Sequence, residues 1–568
     1  MKRKAPPSDS PPGPSIDVLF RPRSVAVVGA SRRRHSIGRE VLRNLVEGEF
    51  QGPVFPVNAK AEVVQSMKAY ARVSDIEDPV DLAVIAVPRQ HVLPVVKDCA
   101  KKGVKGLVVI TAGFREAGRE GAEREEALKK VAAKAGMRVI GPNCMGIVNT
   151  ADDVRLNASF AAVKPLPGRV SFATQSGALG EAILADAREL GVGISMFASI
   201  GNLVDVTASD LVEAFGNDPR TDVILLYLES FGEPRRFTQI ARVLAREKPI
   251  VVVKSGRSTA GARAAASHTG SLVGMDIAAE SLLEQCGVLR ARSVAEMFTM
   301  AKAFANQPVP AGDRVAIVTN AGGPGILATD ACVGHGLELA EFSARTTKRL
   351  AAALPEGAAA QNPTDLIADA DANRFARALA AVGADSGVDA ILAVFVSPVT
   401  TDAPAVARAI AEGAERSGKT TLACFMGKEK DDEGVAVLRE AGVPVYRFPE
   451  EAAAALSALC RYRRFRDRPR GKDVRFDVDV ARARRAIQRA RRAGRTMLVG
   501  EDVGEILAAY GIPTAPSIVA KDVGRALEFA KEAGYPVVLK AESEKFAHKT
   551  DVGGVRVGLK NGDEVFEA

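Results

Sequence analysis

The sequence is poor in the residues that most often build disulfide, metal and base-stacking sites. Its 568 residues include no tryptophan, six tyrosines, six cysteines and five histidines. The cysteines are scattered, without a CxxC pair and with mostly apolar neighbours, which argues against a zinc site and predicts free thiols in a reducing compartment. The few aromatic residues argue against a nucleic-acid surface built from stacked bases, although the net charge is +8.

Long apolar runs are also missing. No segment approaches the roughly 20 apolar residues that a membrane-spanning helix needs, and the first fifteen residues are basic without an apolar stretch behind them. We therefore expect residues 1–15 to be a disordered tail and not a signal peptide, and the protein to be cytoplasmic. The length predicts about four domains. Much of the basic excess lies in one segment, 461–496, which favours an exposed linker.

A strand, a glycine turn and a helical pattern follow one another in SVAVVGAS and RRRHSIGREVLRNLVEGEF. This order opens a doubly wound nucleotide-binding fold, in which N–H groups at the helix start meet a phosphate. Gly29 and Gly38 are present, but Ser31 stands in place of the second glycine of GxGxxG. VFPVNAK ends with Lys60 and lacks the carboxylate that binds an NAD ribose. We therefore disfavour a nicotinamide-dependent oxidoreductase and expect a phosphate-bearing ligand in this α/β domain, 16–150.

A second α/β unit, 151–307, contains two candidate site positions. A strand leads through Ser176 into a helix beginning at Gly177, whose free N–H groups predict an anion site. The buried strand of DVILLYLESF ends at Glu229. A carboxylate at the carboxyl end of a parallel strand can orient an imidazole, although a solvated acid at a strand end is the better explanation for Glu229 taken alone.

His268 is the candidate imidazole. It lies in PIVVVKSGRSTAGARAAASHTGSLVGMD, where a buried strand leads into a long loop of small residues. Imidazole is the side chain whose ordinary pKa leaves it neutral and nucleophilic near neutral pH. The small residues leave its ring open and the loop free to move. The alternative is a surface-loop histidine without a role.

The third unit, 308–460, repeats the plan of the second. DRVAIVTNAGGPGILATDACVGHG again has a strand, a glycine-rich turn and a helix. This similarity predicts a loose internal duplication, in which two helix starts can face one anion.

The last segment, 497–568, shows the beginning of another domain. Lys540 ends the strand PVVLKAES, a position that suits contact with a nucleotide phosphate, and His548 lies in a polar loop that follows.

Together these motifs resemble those of the NDP-forming acyl-CoA synthetases, typified by ADP-forming acetate–CoA ligase and related to succinyl-CoA synthetase. The resemblance extends from about Ile16 onward and rests on VVGAS, IGREVLRNL, VNAK, GPNCMG, TQSGALG, SIGN with Asp205, YLES, KSGRS, SHTGSL, TNAGGPG, NPTD, PVVLKAES and HKTDVGGV. It implies an α/β chain with a Rossmann-like CoA-binding domain, two flavodoxin-like domains and the start of an ATP-grasp domain.

The resemblance also implies residue roles. His268 is expected to be the phosphorylated histidine and Glu229 the carboxylate that supports it. Ser176, Gly177, Gly323 and Gly325 are expected to cradle phosphate, and Gly29, Ala30, Ser31, Lys60, Val87 and Pro88 to surround CoA. Lys540 is expected to contact the nucleotide, and His548 to be a second phosphoryl carrier.

The implied reaction converts acyl-CoA, phosphate and ADP into a free acid, CoA and ATP through an acyl phosphate and phosphohistidine. It requires Mg²⁺, whose ligands in the family lie in a later part of the ATP-grasp domain than this sequence contains. Either the sequence is a fragment, or a partner chain completes the domain, or the ATP chemistry has been lost. For partners we expect a homo-oligomer or a chain that completes the ATP-grasp domain. The alternative function is a regulatory or degenerate homologue that binds CoA or acyl-CoA. Ser230 and Phe231 depart from the small residues expected after the glutamate.

Overall fold

The structure, a computed structural model, divides the chain into two compact units, Met1–Arg468 and Pro469–Ala568. It describes residues 15–258, 260–261, 276–355, 358–397, 401–427, 433–469, 471, 476–498, 500–541 and 553–568. His268 and His548 lie outside these described residues.

The first sheet has five parallel strands, as expected for a doubly wound domain. Their order across the sheet is Val54–Val57, Val25–Val28, Leu82–Ile85, Gly106–Val109 and Arg138–Ile140. The three central strands are buried at every residue because parallel strands are covered on both faces, which explains their Val-rich sequences. The main helices of this domain are Ile37–Glu47, Arg89–Lys102 and Arg119–Lys134, preceded by the short helix Asp17–Phe20.

The second sheet has seven strands. Their order is Leu289–Ala291, Ile250–Lys254, Val223–Leu228, Pro167–Thr174, Ile194–Ser199, Gly146–Asn149 and Leu156–Ser159. The first five are parallel and the last two pair antiparallel at the edge. The helices of this domain are Gly177–Glu189, Ala208–Asn217, Pro234–Leu244, Asp276–Cys286 and Val294–Asn306.

One strand just before the boundary expected at residue 150 pairs with the second sheet. Gly146–Asn149 pairs with Ile194–Ser199, so it belongs to the second sheet, although it directly follows the first sheet in sequence. The sequence pattern identifies a strand but not its sheet, since the pairing partner lies about fifty residues further along the chain.

The third sheet is parallel throughout. Its strands are Glu338–Leu339, Arg314–Thr319, Ala390–Val396, Thr420–Met426 and Val445–Tyr446, with Thr364–Asp365 pairing beside Arg314–Thr319. The helices of this domain are Gly322–Gly334, Ala344–Ala353, Ala372–Gly383, Ala403–Ser417, Glu433–Glu440 and Pro449–Asp467.

Two apolar cores join these domains. One core runs from the second sheet to the third and includes Phe172, Met297 and Leu459. The other joins the first sheet to the second, where the rings of Phe20 and Phe215 meet edge to face at 5.9 Å. All six cysteines are buried and free, as expected of thiols that form no disulfide.

The basic segment 461–496 contains the end of one helix and the whole of another. Pro449–Asp467 continues into it, and Arg463 and Arg464 form ion pairs with Asp313 at 3.0 and 2.9 Å. Val480–Arg492 is a separate helix of the second unit. The sequence suggested an exposed linker because Asp313 lies 150 residues before Arg463 and leaves no local signal.

The second unit contains helices and one antiparallel strand pair. Its elements are Val480–Arg492, Gly500–Ala509, Val523–Ala533, Val537–Lys540, Val555–Leu559 and Gly562–Glu567. Val557 and Phe566 are 72% and 69% exposed, so this unit leaves large apolar side chains uncovered. None of the helices that the structure describes is long and apolar enough to cross a membrane.

Candidate active site

Three neighbouring strands of the second sheet end at one cavity. Gln175 follows the first of these strands, Glu229 follows the second, and Lys254 is the last residue of the third. All three residues line a cavity of about 720 Å³. Ligands of parallel α/β sheets bind at the carboxyl ends of the strands.

Gln175 fixes the backbone at Glu229. Its Oε1 accepts hydrogen bonds from the backbone N–H groups of Glu229 and Ser230, and its Nε2 donates to the Ser230 carbonyl at 2.7 Å. The Gln175 side chain thereby satisfies three polar groups where its own exposure is 9%. This contact between two strand ends fixes the backbone from which the Glu229 side chain extends. The sequence analysis did not identify it.

The third domain repeats this arrangement. Asn320 takes the place of Gln175: its Oδ1 accepts from the Val396 N–H at 2.9 Å and its Nδ2 donates to the Val396 carbonyl at 2.8 Å. Thr174 and Thr319 also match, since each hydroxyl accepts from the N–H two residues later at 3.0 and 3.1 Å. Both turns have the spacing TxxGxxG, so the predicted duplication extends to individual hydrogen bonds.

The predicted phosphate-cradling residues lie at the starts of two helices. Ser176 caps Gly177–Glu189 by accepting from the Leu179 N–H at 3.3 Å. The second helix begins at Gly322, so Gly323 and Gly325 lie inside its first turn and not in a turn before it. None of the four predicted cradling residues is among the described residues that line the 720 Å³ cavity.

Lys254 is a site residue that the sequence analysis missed. Its side chain is 7% exposed, and its Nζ donates to the Ser255 carbonyl at 2.6 Å. Burial and the nearby Arg290 guanidinium lower the pKa of Lys254, while Asp276 and Glu229 act in the opposite direction. The available signal was a lysine directly after four buried aliphatic residues, IVVVK.

Residues of the SIGN motif hold the first two domains together at this cavity. The Asn202 amide donates to Glu116 at 2.6 Å and to Glu125 at 2.9 Å. Asp205 accepts from the Arg138 side chain and from the Val139 N–H, both at 2.8 Å. Asp205, which the sequence analysis quoted as part of the motif, therefore has a structural partner in the first domain.

The residues expected around CoA lie at the ends of three adjacent strands of the first sheet. The Asn58 amide, beside exposed Lys60, donates to the Ala30 carbonyl at 2.6 Å. The Thr111 hydroxyl donates to the Val87 carbonyl at 2.7 Å, next to Pro88.

In the loop between the strand Val25–Val28 and the helix Ile37–Glu47, the Ser31 hydroxyl accepts a hydrogen bond from the Arg33 N–H at 3.1 Å. Gly29 has φ +95°, and a Cβ there would lie 2.2 Å from the Ala86 carbonyl oxygen, so the turn requires glycine. The helix begins at Ile37, which leaves a longer loop than GxGxxG allows.

The residue expected to contact the nucleotide belongs to the second unit. Lys540 ends the strand Val537–Lys540 and is exposed. In the part of the chain that the structure describes, no group of three or more His, Cys, Asp or Glu residues could hold a metal ion.

Four protein-family models match consecutive parts of the chain. They are a CoA binding domain at residues 23–150, a succinyl-CoA ligase-like flavodoxin domain at 167–304, a ligase-CoA domain at 315–468 and an ATP-grasp domain at 489–568. Their order is the order expected from the sequence motifs.

Relatives and a solved structure share this organisation. Acetate–CoA ligase [ADP-forming] I of Archaeoglobus fulgidus is 40% identical over 96% of this chain and 78% of its own length. The alpha subunit of acetate–CoA ligase [ADP-forming] II of Pyrococcus furiosus is 43% identical over 78% of this chain and 97% of its own length. A similar solved structure is that of dinucleotide forming acetyl-coenzyme A synthetase 1 of Ca. Korarchaeum cryptofilum, in complex with phosphate and ADP. The TM-score is 0.76 and the sequence identity 38%, and the match covers 80% of this chain and 97% of that one. The chain therefore belongs to the family of ADP-forming acyl-CoA ligases.

Proposed function

We propose that this protein interconverts acyl-CoA, phosphate and ADP with a free carboxylic acid, CoA and ATP. Phosphate attacks the thioester carbonyl, CoA leaves, and an acyl phosphate forms. His268 then takes the phosphoryl group, which releases the carboxylate, and passes it to ADP. Acetyl-CoA is our choice of test substrate because the relatives named above are acetate–CoA ligases.

One observation supports this proposal most directly. His268 belongs to the segment 257–275, which lies in the sequence between two residues that line one cavity. Gly256 and Asp276, which flank this segment, both line the cavity that contains Glu229 and Lys254. In the sequence, His268 is therefore twelve residues after one cavity residue and eight residues before the other.

The described residues suggest how the chain would support each step. Glu229, fixed through Gln175, would orient the imidazole and stabilise its positive charge. The helix starts at Gly177 and Gly322 would direct free N–H groups at the phosphoryl oxygens.

The residues expected to bind cofactors lie in both units. Gly29 to Ser31, Lys60, Val87 and Pro88 would hold CoA, and Lys540 the phosphates of the nucleotide. Mg²⁺ would neutralise phosphate charge during transfer to ADP, but the described residues contain no cluster to bind it, so we assign it no ligands. We also propose His548 as a second phosphoryl carrier; this residue lies outside the described part of the chain.

We further propose a partner chain that contributes to the nucleotide site. The second unit exposes apolar side chains that include Val538, Val557 and Phe566, and surfaces of this kind are usually covered by another protein element. The relative from Pyrococcus furiosus is itself named as one subunit of an enzyme. For the location we keep the cytoplasm, since six buried free thiols suit a reducing compartment.

The decisive test is phosphopeptide mass spectrometry under acid-free conditions. The protein is incubated with acetyl-CoA and phosphate, and His268→Ala is compared with the wild type. We expect phosphate on the peptide containing His268 in the wild type and none in the variant. Retained CoA binding without any phosphopeptide would favour the regulatory homologue instead.

Glu229→Gln tests the supporting carboxylate in the same assay. The amide keeps the shape but loses the charge, so we expect the rate of phosphohistidine formation to fall about 100-fold. The matched control is Glu233→Gln, which alters another carboxylate on the wall of the cavity. Equal rates for the two variants would remove Glu229 from the proposed chemistry.

A further inference from the structure

The geometry points to a role for Lys254 that no sequence motif suggested. We propose that the Lys254 ammonium binds an oxygen of the inorganic phosphate, and later of the acyl phosphate, at the carboxyl edge of the second sheet. This inference rests on the proposed function and assigns one residue of the phosphate site within it.

Lys254 is buried and faces the cavity. It is the last residue of Ile250–Lys254 and lies in register with Leu228, so it is close to Glu229, which directly follows the neighbouring strand. Only 7% of its surface is exposed, yet it lines the same cavity as Gln175 and Glu229. A lysine at such a position costs free energy unless an opposite charge compensates it.

The hydrogen bonds of Lys254 leave donors available. An ammonium has three N–H donors, and within the described part of the chain the hydrogen bond of Lys254 goes to the Ser255 carbonyl. Asp276, the first residue of the following helix, is paired with Arg290, which also binds Glu280. Asp276 therefore already has a cationic partner in Arg290, whereas Lys254 itself lines the cavity.

Another lysine next to the same strand shows what a structural role looks like. Lys248, just before the amino end of the strand, donates to the carbonyl oxygens of Asp218 and Phe215 at 2.6 and 3.5 Å. Lys248 is not among the described residues that line the cavity. Lys248 binds backbone on two sides, whereas Lys254 faces a cavity beside Glu229, where its ammonium can also bind a ligand anion.

Arsenolysis of acetyl-CoA tests this role without the nucleotide. Arsenate replaces phosphate as the nucleophile, CoA leaves as a free thiol, and the acetyl arsenate is hydrolysed to acetate and arsenate. The free thiol is measured with a disulfide reagent. Initial rates of the full chain are recorded against arsenate and, separately, against acetyl-CoA, for the wild type, Lys254→Gln, Lys254→Met, Lys254→Arg and Lys248→Met.

We expect both neutral variants at position 254 to raise the KM for arsenate about 10- to 100-fold, the loss of one charge-assisted hydrogen bond. Their KM for acetyl-CoA should stay within about twofold, and Lys254→Arg should recover part of the arsenate affinity because it keeps the charge. Lys248→Met should leave both KM values unchanged. Gln retains a donor for Ser255, so Lys254→Gln decides the matter if Lys254→Met does not fold.

The outcomes separate the two proposals. A wild-type protein that releases no thiol contradicts the proposed function. A wild-type protein that does so, with an unchanged KM for arsenate in Lys254→Gln, overturns the role of Lys254 alone. Equal increases in both KM values would also overturn it, because they indicate general distortion of the site.

Discussion

At the scale of single residues, backbone geometry restricts the site as strongly as charge does. Gly29 lies where the first strand of the CoA domain turns toward its helix, with φ +95°, and a Cβ added there would lie 2.2 Å from the Ala86 carbonyl oxygen. Gly38 packs against the same turn, since its Cβ would lie 2.1 Å from the Gly29 carbonyl oxygen. Two glycines nine positions apart therefore make one close contact, and this spacing replaces that of GxGxxG.

Gly29→Ala should destabilise the first domain and abolish CoA binding. The added methyl group cannot avoid backbone atoms, and we expect a cost of about 3 kcal/mol or more. Thermal unfolding followed by circular dichroism measures the stability, and equilibrium dialysis with CoA measures the binding.

Gly103→Ala is the matched control for this substitution. Gly103 also has a positive φ, +81°, but nothing lies within 4 Å of its Cβ position. Its replacement should cost only the backbone strain, about 1–2 kcal/mol, and leave CoA binding intact. Equal stability losses in the two variants would show that strain, and not the contact with Ala86, dictates glycine at position 29.

At the scale of elements, the two TxxGxxG turns show which glycines the fold itself requires. Gly180 and Gly325 occupy the last position of each motif, where a Cβ would lie 3.2 and 3.1 Å from the methyl groups of Thr174 and Thr319. Close packing of helix on strand therefore explains both. Gly323 is different, since nothing lies within 4 Å of its Cβ position, and the fold gives no reason for a glycine there.

Gly323→Ala separates stability from function. Alanine favours a helix over glycine by roughly 0.5–1 kcal/mol, so we expect the variant to melt slightly higher than the wild type. If Gly323 cradles phosphate, its new methyl group obstructs the approach to the backbone, and the KM for arsenate should rise. Gly325→Ala, the control, should lower the melting temperature through its contact with Thr319. A more stable Gly323→Ala variant with unchanged KM would exclude Gly323 from the phosphate site.

The elements also show what the sequence alone could and could not predict. The strand ends at Glu229 and Lys540 and the helix start at Gly177 follow from local patterns of burial and glycine, and the structure has them in place. The contact of Gln175 with Glu229 spans 54 residues, so no local pattern reveals it. Lys254 was missed for a related reason: a lysine at a strand end looks solvated until its neighbours are known to bury it.

At the scale of the whole molecule, the residues proposed for the two half-reactions belong to different units. The CoA loop, Glu229, Lys254 and both TxxGxxG helices lie in Met1–Arg468, whereas Lys540 lies in Pro469–Ala568. The first unit has its own continuous cores, which connect its three sheets. The alpha subunit from Pyrococcus furiosus matches 78% of this chain over 97% of its own length. This relative is therefore similar in length to the first unit alone.

A truncated chain ending at Arg468 should therefore fold and carry out the acyl-CoA half of the reaction alone. We expect it to release CoA from acetyl-CoA in the presence of arsenate within about threefold of the full-length rate, since such a change is less than 1 kcal/mol in barrier height. ATP formation from acetyl-CoA, phosphate and ADP should be absent from the truncated chain, because Lys540 and the remaining ATP-grasp residues are gone. The same truncation carrying Glu229→Gln tests the step after acyl phosphate formation. It should still release CoA but form phosphohistidine about 100-fold more slowly. If the truncated chain is folded by circular dichroism but releases no CoA, the second unit contributes to the acyl-CoA site, and the division of the two half-reactions between the units is wrong.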